Sequence, residues 1–374
     1  MLNVPVNEPL FSGNEKKYLN ECIDTGWISS EGPFVGRFET GMADLCGRKH
    51  GIAVCNGSVA LDVALQALEL PPNSEVIMPS FTIISCASAI IRAGCTPVLI
   101  DSDALTWNMD VSQVESKVTS KTKAIMAVHL YGLPVEMQPL MEIAAKYDLK
   151  VIEDAAEEIG QKCDGIPCGS FGNVSCFSFY PNKHVTTGEG GMILCDDNEL
   201  YEKCRSLRNL CFIPERRFVH RELGYNFRIS NIQAALGVAQ LEKIEATLRK
   251  KRYIGARYQE LLNGVKGLQL PLPKTVYAEN LYWVFGILLD ECISGDAKEF
   301  EKRLQARGVG TRPFFWPMHE QPVFQKQGLF SGEHYPVAEN LARKGFYIPS
   351  GLALTDEQIE YVAAQVKAVV EELS

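Results

Sequence analysis

The pattern of apolar and polar positions predicts an α/β architecture for the first part of the chain. Between about residues 50 and 200, short apolar and β-branched runs such as GIAVC and KAIMAVHLYG alternate with helical stretches such as SVALDVALQALEL. Because these runs are too continuously apolar for a half-exposed sheet, we expect a mainly parallel sheet with helices on both faces. Ligands of such folds lie at the carboxyl ends of the strands.

A different pattern follows this region. The proline-free stretch from Ile232 to about Leu262 predicts one helix that connects two domains. Beyond it, LYWVFGILLD and GFYIPS predict strands and AKEFEKRLQARG predicts a helix. The last helix begins at a capping box, Thr355 to Gln358, and its apolar positions form one stripe. This half of the chain therefore predicts a small α+β domain.

Length and composition fit this division. The 374 residues suit two domains, and we place a large α/β domain at 1–250, including the N-terminal segment, and a small α+β domain at 251–374. The net charge of -9 argues against a surface for nucleic acid or anionic membranes. Any anionic ligand must therefore be bound by a local group of basic residues.

Cysteine and histidine spacing gives no sign of a metal centre. The twelve cysteines are scattered through apolar runs, which favours buried free thiols over a disulfide framework. No CxxC or HExxH motif occurs, so we predict no structural metal. The N-terminus lacks the pattern of a signal peptide, and no run of about 18 apolar residues occurs, so the cytoplasm is the expected compartment.

Two stretches place polar residues where a sheet of this kind binds ligands. Asp154 ends the apolar strand of VIEDAAEEIG, where it either caps a following helix or serves as the counter-ion of a protonated heterocycle. Gly57 and Ser58 follow a strand and begin a helix, whose free N–H groups can bind phosphate. This connection is common, so ordinary chain reversal is the alternative.

Lys183, in CFSFYPNKHVTTGEGG, is the third candidate. A lysine after an aromatic strand usually points into solvent. The alternative is a Schiff-base lysine, whose pKa is lowered by burial beside apolar rings such as Phe179 and Tyr180. A phosphate-binding helix start, a strand-end Asp and a strand-end Lys, in this order, are the minimum set for a pyridoxal 5'-phosphate (PLP) enzyme.

Longer motifs resemble a known family. IEDAAE, FSFYPNKHVTTGEGGM, GYNFRISNIQAALG and TRPFFWPMHEQPVF are similar to the DegT/DnrJ/EryC1/StrS sugar aminotransferases, and the similarity runs nearly end to end. The resemblance implies the PLP-dependent transferase fold of type I. It also implies that Lys183 forms the Schiff base, that Asp154 pairs with the pyridine nitrogen and that Gly57, Ser58 and Ser178 hold the phosphate.

The resemblance further implies an obligate homodimer with shared active sites, because Asn226 is similar to a residue that reaches the cofactor of the neighbouring subunit. The chain departs from the common family pattern at two positions. Ile83 stands where an aromatic ring commonly covers the cofactor, and Glu157 stands where many relatives have Gln beside the cofactor's hydroxyl group. We expect less ring stacking at Ile83.

The residues of these motifs also bear on the identity of the substrate. These motifs are most similar to those of family members that transfer the amino group of L-glutamate to C4 of GDP-4-keto-6-deoxymannose. The alternative substrates are UDP- or dTDP-linked 4-keto-6-deoxy sugars. Such a product suggests supply of a surface polysaccharide such as the O-antigen of lipopolysaccharide. The resemblance implies that Trp27, Ser29, Arg312 and His319 line the substrate cleft, although packing is the alternative for each.

The basic stretch RSLRNLCFIPERRFVHRELG offers a local supply of positive charge. We expect one or more of its arginines to contact the diphosphate or the glutamate carboxylate, and a solvated loop is the alternative. The arginines are Arg208, Arg216, Arg217 and Arg221.

Three other functions compete with amino transfer. A related 3-dehydratase carries histidine in place of the lysine, but His184 adjoins that place without occupying it. A PLP-binding regulator, or a protein of this fold that has lost activity, is disfavoured because Lys183 and Asp154 are both intact. A nicotinamide dehydrogenase is disfavoured because no GxGxxG follows an early strand.

Overall fold

The computed structural model describes residues 2–213, 215–220 and 222–374, except for the side chain of Arg217. No helix in these ranges is long and apolar enough to cross a membrane. The helices are α1 (Glu15–Thr25), α2 (Pro33–Cys46), α3 (Gly57–Ala67), α4 (Ile84–Arg92), α5 (Met137–Lys146), α6 (Asn198–Arg208), α7 (Asn231–Leu241), α8 (Ile244–Leu262), α9 (Ala297–Ala306), α10 (Pro322–Gln325), α11 (Pro336–Lys344) and α12 (Asp356–Leu373).

The strands form one large sheet, one small sheet and two short hairpins. They are β1 (His50–Val54), β2 (Glu75–Pro79), β3 (Thr96–Ile100), β4 (Thr122–Val128), β5 (Lys150–Asp154), β6 (Lys162–Cys163), β7 (Ile166–Pro167), β8 (Val174–Ser178), β9 (Gly191–Cys195), β10 (Phe212–Ile213), β11 (Arg216–His220), β12 (Leu268–Gln269), β13 (Phe285–Leu289), β14 (Arg312–Pro313) and β15 (Gly345–Ile348).

The seven-stranded sheet has the order β1-β9-β8-β5-β4-β2-β3. Its strands run parallel except β9, which is antiparallel to both β1 and β8. Because β1 points the same way as β5 and β8, the residues that follow these three strands meet at one edge of the sheet. The start of the reversed strand β9 lies at the same edge. The predicted mainly parallel α/β fold is confirmed.

A second, four-stranded antiparallel sheet has the order β12-β13-β15-β14. Its core combines β13 and β15 with the buried faces of α8, α9 and α12. Val4 joins this core and pairs with Val309, so the start of the chain packs against the small sheet. The predicted domain boundary at residue 250 falls inside α8 and stays a prediction.

The helix predicted from Ile232 to Leu262 is in fact two helices. α7 ends at Leu241 and α8 begins at Ile244. Helix α7 packs against α1 and α2, where Gly237 lets the ring of Phe38 approach, whereas α8 packs with the second core. The chain must change direction between the two cores. All residues at the break tolerate a helix, so local propensity does not reveal it.

Candidate active site

The side chain of Lys183 is largely buried at the carboxyl edge of the large sheet. It lies in the loop between β8 and β9, with only 10% of its side chain exposed. Its Nζ lies 3.6 Å from the ring centroid of Trp283 and 3.5 Å from Oε1 of Glu157. A solvated surface lysine is therefore excluded, and the amine is held between an aromatic ring and a carboxylate.

Burial sets the proton affinity of this pair. Burial lowers the pKa of Lys183, and the charges of Glu157 and Asp154 oppose that shift. Burial raises the pKa of Glu157 to about 7, although the charge of Lys183 pulls it down. Since each shift favours the neutral form, a neutral amine is accessible to Lys183 at a lower pH than for an ordinary lysine.

Asp154 ends β5 and is buried with both carboxylate oxygens occupied. Oδ1 accepts a 3.1 Å hydrogen bond from the amide of Ala156, and Oδ2 accepts one from the Cys86 thiol at 3.2 Å. Burial raises the pKa of Asp154, and these two hydrogen bonds and the charge of Lys183 oppose the increase. No helix follows at 155–160, so the alternative role of a helix cap is excluded.

The N-terminus of α3 lies at the same edge. Asn56 caps it by accepting the amide of Val59, and the first helical amides, those of Gly57 and Ser58, have no acceptor within the helix. The hydroxyl of Ser58 lies 2.7 Å from that of Ser85. A Cβ on Gly57 would lie 2.8 Å from Cβ of Ser178, so only glycine leaves this concave surface open.

These groups face a single cavity of about 620 Å³. Its walls include aromatic side chains from both parts of the chain, namely Tyr180, Trp283, Phe315 and Tyr347. The cavity thus combines a helix N-terminus, a buried carboxylate and a buried amine. The predicted site residues that line it are Gly57, Ser58, Ile83, Asp154, Glu157, Ser178 and Lys183.

Known proteins resemble this chain over its whole length. The model of the DegT/DnrJ/EryC1/StrS aminotransferase family matches residues 10–367. The chain belongs to this aminotransferase family. The GDP-perosamine synthases of Escherichia coli O157:H7 and Caulobacter vibrioides are each 39% identical to it, with 98% of both chains covered.

A solved structure agrees with the fold. DesI, determined in the presence of its TDP-sugar product, superimposes with a TM-score of 0.88 at 30% identity and covers 98% of this chain and 93% of its own. The family predicted from the motifs is therefore confirmed, and so are the fold of PLP-dependent transferases of type I and the function of a sugar aminotransferase.

Several predicted residues of the aminotransferase lie outside the cavity lining. Asn226, Trp27, Ser29 and Arg216 are exposed on the described part of the chain. The carbonyl of Ser29 accepts the amide of Asn231, which ties the N-terminal segment to α7. The side chain of Arg217 and all of Arg221 lie outside the described residues.

Arg208, Arg312 and His319 have other contacts. Arg208 donates to Glu39 and to the carbonyl of Ala53, which makes it part of the framework. Arg312 is exposed at β14 and lies outside the cavity lining.

His319 is buried, with one ring nitrogen 2.8 Å from the hydroxyl of Ser80 and the other 3.0 Å from Glu339. Because both ring nitrogens are engaged in the interior, His319 supports the fold around the site and does not face the cavity.

Sequence reasoning missed the groups that surround Lys183 and Asp154. The ring over the lysine is Trp283, whereas Phe179 packs against Phe38 in another core and Tyr180 is half exposed. Cys86, the thiol partner of Asp154, is one of twelve cysteines that the sequence predicts only as buried free thiols. Trp283 follows Lys183 by about a hundred residues, so no local pattern connects the two.

Two clusters of described residues have donor atoms within 4.8 Å of one another, His129 with Glu153 and Cys168, and His319 with Glu320 and Glu339. In the first cluster, His129 Nδ1 accepts the amide of Val135, so Nε2 donates to Glu153 at 2.9 Å. Both nitrogens are thus used by the protein. The absence of a structural metal stays a prediction.

Proposed function

We propose that this aminotransferase uses PLP to move an amino group from L-glutamate to C4 of GDP-4-keto-6-deoxy-D-mannose, which gives GDP-perosamine. One observation carries the proposal: the largely buried side chain of Lys183 and the buried carboxylate of Asp154 line the same cavity as the open N-terminus of α3. The likeness to GDP-perosamine synthases over 98% of the chain supports the choice of sugar nucleotide.

The residues present fit PLP. The amides of Gly57 and Ser58 and the hydroxyl of Ser178 would hold the phosphate, because a helix N-terminus attracts anions. Asp154 would hold the pyridine nitrogen in its protonated form, and Lys183 would carry the covalent bond to the cofactor. Ile83 and Glu157 would contact the ring. When bound, PLP supplies an electron sink for the carbon that loses or gains the amino group.

The protein moves the proton. With the cofactor bound, the amine of Lys183 would act as general base at Cα of glutamate and, in the second half of the reaction, as general acid at C4 of the sugar. Burial lowers the pKa of this amine and so favours the neutral, proton-accepting form. The Trp283 ring limits the approach of water to the same atom.

The substrate ends are bound by residues beyond the cavity lining. Arg216 and Arg217 would contact the diphosphate or the glutamate carboxylate, and Trp27, Ser29 and Arg312 would border the sugar nucleotide. Charge reversal of Arg216 and Arg217 should raise the KM for the sugar nucleotide. An unchanged KM would remove these two arginines from the site.

We infer a homodimer in which Asn226 reaches the partner's cofactor. Asn226 is exposed and outside the cavity of its own chain. It follows the β10–β11 hairpin, and the exposed apolar residues nearby are Phe218 in β11 and Leu223 after it. Large exposed apolar side chains near one another along the chain are typical of an interface. The product would supply a surface polysaccharide such as the O-antigen of lipopolysaccharide.

One observation separates amino transfer from dehydration. His184 is 2% exposed and does not line the cavity, whereas Lys183 does. A histidine in that position cannot act on a sugar in the cavity.

The test uses protein loaded with PLP, treated with L-glutamate, freed of it and then mixed with GDP-4-keto-6-deoxymannose. We expect glutamate to bleach the visible band of the lysine-bound cofactor, and the sugar nucleotide to restore it as a 4-amino sugar forms. If only a UDP- or dTDP-linked keto sugar restored the band, that sugar nucleotide would replace GDP-4-keto-6-deoxymannose as the assigned substrate. Absence of the band in folded wild-type protein would overturn the role of Lys183. Lys183→Ala should lack the band, and Lys162→Ala, at an exposed position, should keep it.

A further inference from the structure

Lys251 is a buried amine without a carboxylate partner among its hydrogen bonds. It lies on α8 with 3% of its surface exposed. Its Nζ donates to two backbone carbonyls, that of Trp283 at 2.6 Å and that of Ser350 at 2.7 Å. Burial lowers the pKa of Lys251 to about 7. A neutral amine has two protons to donate, which matches the two acceptors.

Both acceptors belong to segments that border the active site. The ring of Trp283 lies 3.6 Å from Nζ of Lys183, and its indole Nε1 donates to the carbonyl of Asn182 at 2.8 Å. Trp283 is therefore held at two points, by Lys251 through its backbone and by the lysine loop through its ring. A displacement of the whole residue would break one of these two hydrogen bonds.

The second acceptor extends the same anchorage to the small sheet. Ser350 follows β15, and its hydroxyl accepts the amide of Phe285, at the start of β13, at 2.8 Å. The amine of Lys251 thus joins the chain just before β13 to the chain just after β15. Both segments are irregular there, so no ladder of backbone hydrogen bonds would hold Trp283 if the amine were removed.

We propose that Lys251 is a positioning residue for Lys183: by binding the carbonyl of Trp283 it fixes the indole ring over the Lys183 amine and keeps water from that amine. The inference rests on the proposed function, in which Lys183 must be available as a neutral base. Lys251 itself touches neither the cavity nor a reacting atom.

The test measures Lys183 in the PLP-free protein. The rate at which acetic anhydride modifies Lys183 is followed against pH by mass spectrometry of the peptide that contains it. In Lys251→Met, which keeps the chain length and loses the donor, we expect the midpoint for Lys183 to rise by about one pH unit because water reaches the amine. Lys251→Arg keeps donors and should restore most of the wild-type profile.

The charges around Lys183 do not explain such a shift. Asp154, Glu157 and Glu158 face the amine, and His184 adjoins it. All four are retained in the variants. Burial also favours the neutral form of the Lys251 amine, so its removal takes away little positive charge from the surroundings of Lys183.

The matched control is Lys250→Met, one position earlier on α8, where the amine lies over the ring of Tyr253. Its Lys183 profile should equal that of the wild type. A wild-type profile in folded Lys251→Met would overturn the proposal. If that variant does not fold, Trp283→Leu decides, because loss of the ring must produce the same rise, and an unchanged midpoint there overturns the proposal too. If the wild-type and variant Lys183 profiles differ as expected but PLP-loaded wild-type protein transfers no amino group, the result counts against the proposed function instead.

Discussion

The thiol of Cys86 donates a 3.2 Å hydrogen bond to Oδ2 of Asp154. The bond joins α4 to the end of β5 inside the protein, where both residues are buried. A hydrogen bond to an ionised carboxylate stabilises the charged form. The thiol therefore helps Asp154 to stay ionised although burial raises its pKa.

Cys86→Ala should move the acidic limb of the pH profile of kcat/KM to higher pH by roughly half to one unit. The pKa of Asp154 rises when the donor is lost, so the ionised form that PLP needs appears only at higher pH. Cys86→Ser keeps a donor and should retain a limb close to that of the wild type. Identical limbs in the wild type and the Ala variant would show that the thiol has no influence on Asp154.

Glu157→Gln should change how stability depends on pH in the PLP-free protein. The folded pKa of Glu157, about 7, lies above its unfolded value, so the folded state binds more protons between pH 4.5 and 7 and stability falls as the pH rises through this range. Glutamine does not titrate, so the variant does not lose this stability as the pH rises. The variant should gain up to about 3 kcal/mol relative to the wild type on going from pH 4.5 to 7.5, since one pKa unit is about 1.4 kcal/mol.

Urea unfolding at several pH values measures this difference. The lowered pKa of Lys183 acts with the opposite sign, because stability from that group rises with pH. Loss of the Glu157 charge lowers this pKa further in the variant, which adds to the gain of the variant at higher pH. A difference between the two proteins that stays constant with pH would contradict a raised pKa for Glu157.

Gly57→Ala should weaken PLP binding by about tenfold or more, which is about 1.4 kcal/mol, because its Cβ would lie 2.8 Å from Cβ of Ser178. Gly36→Ala is the control. Gly36 is exposed within α2 with no atom within 4 Å of an added Cβ, so that change should stabilise the protein by about 0.5–1 kcal/mol. A fluorescence titration with PLP and urea unfolding measure both effects, and equal PLP affinity in the two variants would argue against a phosphate site at Gly57.

Leu223→Asp should weaken the proposed dimer by about tenfold or more, because it places a charge on a side chain that is 90% exposed beside the apolar hairpin. Val276→Asp makes the same kind of change at a side chain that is 98% exposed, in the loop between β12 and β13. Analytical ultracentrifugation compares the two. Equal dissociation constants would place the interface elsewhere.

Elements whose signals are local agree closely with prediction. The capping box of Thr355 and Gln358 is present at the start of α12, and the strand that carries Asp154 ends at that residue. Gly57 and Ser58 begin α3 as expected. These features depend on side chains within a few positions of one another, so periodicity and capping chemistry are enough to predict them.

Features that depend on packing were not predictable in the same way. The break between α7 and α8 follows from two separate cores, and both of its flanks are good helix formers. His319 stands in a motif similar to the family's cleft, yet its ring nitrogens lie by Ser80 and Glu339. The orientation of the His319 ring is set by partners that are distant in the sequence.

By itself, the sequence determined the alternation of strands and helices, the family, and the two ionisable groups, Lys183 and Asp154. Each of these features depends on residues that are close together in the chain. Only the tertiary structure decided the environment of these two groups. Trp283, which lies over the Lys183 amine, and Cys86, which donates to Asp154, come from segments far from those motifs, and the pKa values of both groups depend on such distances and on desolvation. The pKa values of the reacting groups are thus set by the packing of the core, whereas the identity of these groups is set by the local sequence.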